Sequence, residues 1–73
     1  MINYTIISFR TTTDAIIFES VAKNNNLDGR LIPLPRSISA MCGLCWREPT
    51  SNLIAVKNLI EEFDLSYDTI YNN

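Results

Sequence analysis

The chain has 73 residues, one domain at most (1–73), and a domain near this size buries only about 60% of its unfolded surface, so every element must share one core. Hydrophobic residues make up 47%, too many for a disordered chain. Six Lys and Arg against eight Asp and Glu give a net charge of −2 without a basic patch, which argues against nucleic acid as a partner, and the lack of His removes the usual general base and commonest metal ligand.

No apolar run approaches the roughly 20 residues that span a bilayer, so no membrane role is expected. Met1-Ile2-Asn3-Tyr4 has no basic n-region and no cleavage site, so a cytoplasmic protein is expected. Two cysteines in that compartment stay reduced unless they are catalytic or hold a metal.

Residues 2–9 read as a strand: β-branched and aromatic residues with no Gly or Pro. Thr5, Ile7 and Phe9 share one face, and Ile2, Tyr4 and Ile6 the other. A strand apolar on both faces is usually central in its sheet. Thr11-Thr12-Thr13-Asp14 opens a helix, with Thr11 accepting the backbone N–H three residues on and Asp14 at the capping-box position. Ala15, Phe18, Val21, Ala22 and Asn25 form its buried stripe, widened by Ile17, and Lys23 complements the dipole in the last turn. Asn24-Asn25-Asn26 and Asp28-Gly29 end it.

Arg30 to Pro35 is extended again, and its two prolines predict an edge strand or an exit from the sheet at Pro33. Arg36 to Met41 connects, with room for one helical turn, and Cys42 to Glu48 forms a third strand. Pro49-Thr50-Ser51 caps a second helix whose stripe is Leu53, Val56, Ile60 and Phe63, with Leu59 beside it. Tyr67 to Tyr71 is a last strand, and Asn72-Asn73 a tail.

The order β-α-β-β-α-β is that of an α+β, ferredoxin-like split βαβ fold: a four-stranded antiparallel sheet with both helices on one face. The other face would be open and carry Tyr4, Ile6 and Trp46, an apolar surface suited to a partner or a second copy.

Three stretches add a resemblance. Phe9 precedes a Thr-rich turn and Asp14-Ala15, with Glu19 one turn into the helix; Arg30-Leu31-Ile32-Pro33-Leu34-Pro35-Arg36 follows; then come Ile38-Ser39, Cys42-Gly43-Leu44 and Arg47. In this order the chain resembles a family of short bacterial proteins described as selenium/sulfur carrier-like, over nearly its whole length. The resemblance implies Cys42 as the group that carries sulfur or selenium. Cys45 departs from the family, which commonly has a small apolar residue there.

Four readings of Cys42 and Cys45 compete. Both can be small core residues, which free Cys often is. Cys42 can be a carrier thiolate at a loop–strand junction, with Gly43 leaving the sulfur unobstructed and Arg36 and Arg47 near enough in sequence to lower its pKa. A carrier of this kind passes a persulfide or selenosulfide by thiol exchange and needs no base of its own. A Cys-x-x-Cys disulfide is disfavoured by geometry, because positions i and i+3 of a straight strand lie about 10 Å apart and a disulfide needs Cα atoms within about 7 Å. A zinc site would need two chains, since one offers two thiols and no His.

Quieter features have structural explanations: the prolines protect an edge, Arg36 is solvated, and Tyr67 and Tyr71 pack across strands. No phosphate loop, Ser/His/Asp set or bound cofactor is indicated, and the chain reads as a non-enzymatic carrier supplied by a cysteine desulfurase-like donor and drained by an acceptor enzyme. The other class open is an interaction module that uses the bare sheet face, as a homodimer or with another protein.

Overall fold

In the computed structural model, residues 3–72 are described. They form β1 (Tyr4–Ser8), α1 (Thr12–Asn24), β2 (Arg30–Pro33), β3 (Leu44–Pro49), a 3-10 turn (Thr50–Asn52), α2 (Leu53–Phe63) and β4 (Ile70–Asn72). One antiparallel sheet has the order β2-β3-β1-β4, the ferredoxin-like arrangement expected from the sequence. Strand β1 is central and β2 is an edge strand ending at Pro33, also as expected. The expected first strand is shorter than residues 2–9, and Ile2 lies outside the described residues.

Helix α1 begins where the threonines place it. Thr11 is extended, at φ −136° and ψ 156°, and its Oγ1 accepts the Asp14 N–H at 3.0 Å. That bond satisfies one of the donors a helix start leaves free. Lys23 stands in the last turn, 3.5 Å from Glu19. The chain then turns through Asn26, whose φ of 61° is the left-handed conformation that Asn tolerates.

The core lies between the helices and one sheet face: Ile7, Phe9, Ala15, Phe18, Ala22, Cys42, Trp46, Val56 and Leu59 are buried together. Phe18 sits between Phe9 and Trp46, with ring centroids 5.4 Å from each and interplanar angles of 57° and 59°, the tilted arrangement that aromatic quadrupoles favour.

Several expectations fail, each for a local reason. Trp46 is not on the open face but fully buried in the core, opposite Ile7 and Leu31 in register. Its indole N–H needs a buried acceptor there and finds Glu48 Oε1 at 2.8 Å. Strand β3 starts at Leu44 rather than Cys42, because the Leu44 N–H turns to the Cys42 sulfur. The 36–41 connection forms a turn closed by the Ile38 N–H on the Pro35 carbonyl, not a helix. Helix α2 has no side-chain cap, its start being wound as the 3-10 turn. Ile17 and Phe63 are about half exposed and Asn25 is exposed, so both buried stripes are narrower than drawn. Asn72 pairs in β4 opposite Thr5 instead of trailing, and Tyr67 packs on the core while Tyr71 lies on the other face, so the two tyrosines do not pair.

Glu48 ties these elements together. It is fully buried, and its carboxylate accepts from the N–H groups of Asp28 and Gly29 at 3.1 Å each and from Trp46 Nε1 and Asn52 Nδ2 at 2.8 Å each. A Cβ at Gly29 would overlap the Arg47 carbonyl oxygen, Trp46 Nε1 and Glu48 Oε1, so this position needs glycine for close approach. Gly43 is the reverse, with open space where a Cβ would stand and no positive φ. A chain of this size has a total stability on the order of 5–10 kcal/mol. Replacing Gly29 by Ala is therefore expected to cost about 3 kcal/mol, a large share, whereas Gly43→Ala changes stability by no more than about 0.5 kcal/mol. Urea melts of the two variants check this contrast; equal melts would refute it.

Candidate functional site

Cys42 sits on the segment between the Pro35–Ile38 turn and β3. Residues 39–42 enter none of the backbone hydrogen bonds among the described residues, while the flanks are pinned by the Leu34 N–H on the Gly43 carbonyl at 2.9 Å and by the first β3 pairings. The thiol folds inward and is 4% exposed. Its neighbours in sequence do the opposite: Met41 is 88% exposed and Gly43 is exposed. The sulfur is thus buried on a short segment that is otherwise at the surface.

Two polar groups meet this sulfur. The Leu44 N–H donates to Sγ at 3.4 Å, and Thr12 Oγ1 lies 3.8 Å away, within reach of a bond in which either atom can donate. Thr12 is the first residue of α1, where backbone N–H groups lack helical partners and the dipole is positive. An N–H and a hydroxyl able to turn its proton inward thus give this sulfur two hydrogen-bond partners beside a helix start, not a purely apolar surrounding. In the sequence Thr12 is legible only as part of a helix cap; its place beside Cys42 depends on a contact 30 residues apart.

The other expected site residues lie elsewhere. Arg47 is on the opposite sheet face, its guanidinium carbon 4.4 Å from the centroid of the Tyr4 ring. Arg36 is an exposed residue of the turn before Ile38. The polar partners of Cys42 are Thr12 and Leu44, and neither arginine is among them. Gly43 is exposed beside the thiol with open space around it, but its backbone takes no conformation reserved for glycine.

Cys45 follows the strand alternation that turns Trp46 inward, and so faces the other side of the sheet, between Ser8 of β1 and Ile32 of β2. It is fully buried, and its thiol points toward the Pro33 carbonyl at 4.0 Å. Both thiols are free. Burial, and secondarily the nearby Cys42, push the Cys45 pKa up from 9.0. Among the described residues no group of three or more His, Cys, Asp or Glu is placed to hold a metal ion, and no helix is long and apolar enough to cross a membrane.

The family model described as "Putative Se/S carrier protein-like" matches residues 3–72. The chain belongs to that family. No curated protein and no solved structure matches it. The match includes all three stretches that carried the resemblance, together with Cys42, Thr12 and the loop between the Pro35–Ile38 turn and β3.

The raised Cys45 pKa has a consequence for stability. Between the ordinary thiol value of 9.0 and the higher folded value, the unfolded chain has released a proton that the folded chain retains. Stability contributed by this group is therefore complete below pH 9.0 and is lost as pH rises through the folded value. Denaturant melts across this range are expected to show a decline that Cys45→Val largely removes. A decline of the same size in the variant would assign it to other groups.

Proposed function

We propose that the protein carries sulfur or selenium on Cys42, acting as a carrier and not as an enzyme. The observation that supports this most directly is the placement of Cys42 Sγ between the Leu44 N–H, the Thr12 hydroxyl and the start of α1, in a chain that belongs to a carrier family. Cys45 has no comparable donors, and its environment favours the neutral thiol.

The chemistry is two thiol exchanges. The Cys42 thiolate attacks the outer sulfur of a persulfide on a donor such as a cysteine desulfurase. An S–S bond forms at Cys42 as the donor's S–S bond breaks, and the donor cysteine leaves as a thiolate. In the second step a nucleophile on the acceptor enzyme attacks the outer sulfur of the Cys42 persulfide, and Cys42 leaves as a thiolate. The Leu44 N–H and Thr12 hydroxyl stabilise the negative charge on the same atom before the first step and after the second. Selenium follows the same course as a selenosulfide. No oxidant is consumed and no base on this chain is needed.

A buried sulfur must become reachable for either exchange. Residues 39–42 enter no backbone hydrogen bond among the described residues, and their release withdraws Cys42 from the core and breaks its two polar contacts. Local opening of so weakly bonded a segment costs far less than global unfolding. The exposed Met41 beside it offers a partner an apolar handle on the segment.

Incubation of the full chain with a cysteine desulfurase and cysteine, followed by intact and peptide mass spectrometry, tests the reading. One added sulfur on the peptide containing Cys42 is expected, lost in Cys42→Ala and retained in Cys45→Val. Loading on neither cysteine, or on Cys45 alone, would contradict it. Thermal melts of each variant separate lost chemistry from lost fold.

A further inference from the structure

The sheet face away from the helices is not flat. The Pro35–Ile38 turn folds toward it and, with residues of all four strands, borders an open cavity of about 760 Å³. This is within the range of roughly 300–1,000 Å³ typical of small-molecule sites. Its walls are mainly Tyr4, Ile6, Ile32, Ile38 and Tyr71, and among the described residues its one charged lining residue is Arg47. Among the described residues no Asp or Glu lines it, although acidic residues outnumber basic ones in the chain, eight to six.

Arg47 faces this cavity. Its guanidinium lies against the Tyr4 ring, at 4.4 Å, and makes no hydrogen bond or ion pair with the described residues. The contact restricts a flexible side chain while leaving the N–H edge of the fork available. Two other cations differ: Arg10 pairs with Asp68 and donates to the Tyr67 carbonyl, and Lys23 pairs with Glu19. Strand alternation sets the position. With Trp46 and Glu48 inward, Arg47 between them must face the cavity, opposite Ile6 in register.

From this geometry we infer a binding site for a small organic monoanion, a carboxylate on a flat or branched apolar body. The planar fork of Arg47 matches a carboxylate with two parallel hydrogen bonds. Among the described residues Arg47 is the one charged lining residue, while Arg30 stands opposite it in register on the exposed edge strand; the mainly apolar walls favour a carboxylate over a more strongly hydrated phosphate monoester. The isoleucines and Tyr71 take the apolar body. The site is separate from the carrier thiol: Cys42 belongs to the core on the helix side of the sheet. The inference therefore goes beyond the carrier reading and stands or falls independently of it.

An NMR titration of the isotope-labelled full chain tests it, with naphthoate as the anionic probe and naphthamide as its neutral counterpart. Saturable shifts at Tyr4, Ile38, Arg47 and Tyr71 are expected with naphthoate, with binding weakened about tenfold or more for naphthamide, a loss that corresponds to about 1.4 kcal/mol. Arg47→Met should weaken naphthoate binding to a similar extent. Ser37→Glu, at an exposed lining position, places an acid in the cavity without touching the sheet, and should do the same even if the Arg47 variant folds poorly. Cys42→Ser should bind naphthoate like the unaltered chain. Absence of saturable shifts, shifts confined to the helix face, or equal binding of the two probes would overturn the inference.

Discussion

The carboxylate of Glu48 is surrounded by donors: two backbone N–H groups of the Asp28–Gly29 turn, the Trp46 indole and the Asn52 amide. Burying a charged carboxylate without partners costs several kcal/mol; with its lone pairs satisfied, that penalty is offset and the geometry becomes demanding. The turn into β2 must reach the acid, which allows only glycine at position 29. The indole must point to the same side as the acid. The start of α2 must bring Asn52 within 2.8 Å. One buried acid therefore joins the entry to the edge strand, the inward side of β3 and the beginning of the second helix.

Once Trp46 and Glu48 are inward, the rest of β3 has no freedom. Arg47 and Cys45 go to the opposite face, one against Tyr4 in the cavity and the other sealed between Ser8 and Ile32. Leu44 begins the strand on the core side, and its N–H meets the Cys42 sulfur just before pairing starts. The position of the Cys42 thiol follows from a network it does not belong to. Arg47, on the opposite face, lies away from Cys42, whose polar partners are the Thr12 hydroxyl and the Leu44 amide.

The fold is readable in the sequence because its signals are local: strand composition in β1, the Thr11 cap of α1, proline at the end of β2 and the spacing of Val56 and Leu59 in α2 each need only a few neighbours. The motif around Cys42 is readable as a resemblance. What escapes a reading of the sequence depends on register. A one-residue slip in how β3 pairs with β1 reverses every side chain on it, and the sequence from Cys42 to Pro49 does not state that Trp46 lies opposite Ile7. For this reason Trp46 reads as an open-face residue and Arg47 as a neighbour of the thiol until the pairing is known. Glu48 draws no attention because a lone acid in a strand looks solvated until its four donors, from three separate segments, are assembled.

Carrier chemistry requires Cys42 to be reactive although it is as well buried as a core residue. The direct measurement is the rate of alkylation of each cysteine in the native chain, followed by mass spectrometry of its peptides over a range of pH. Local release of residues 39–42 predicts that Cys42 is modified much faster than Cys45, without dependence on denaturant at low concentration, since little surface is exposed in opening. If both cysteines react slowly and only at the rate of global unfolding, Cys42 is a packing residue and the carrier chemistry has no nucleophile.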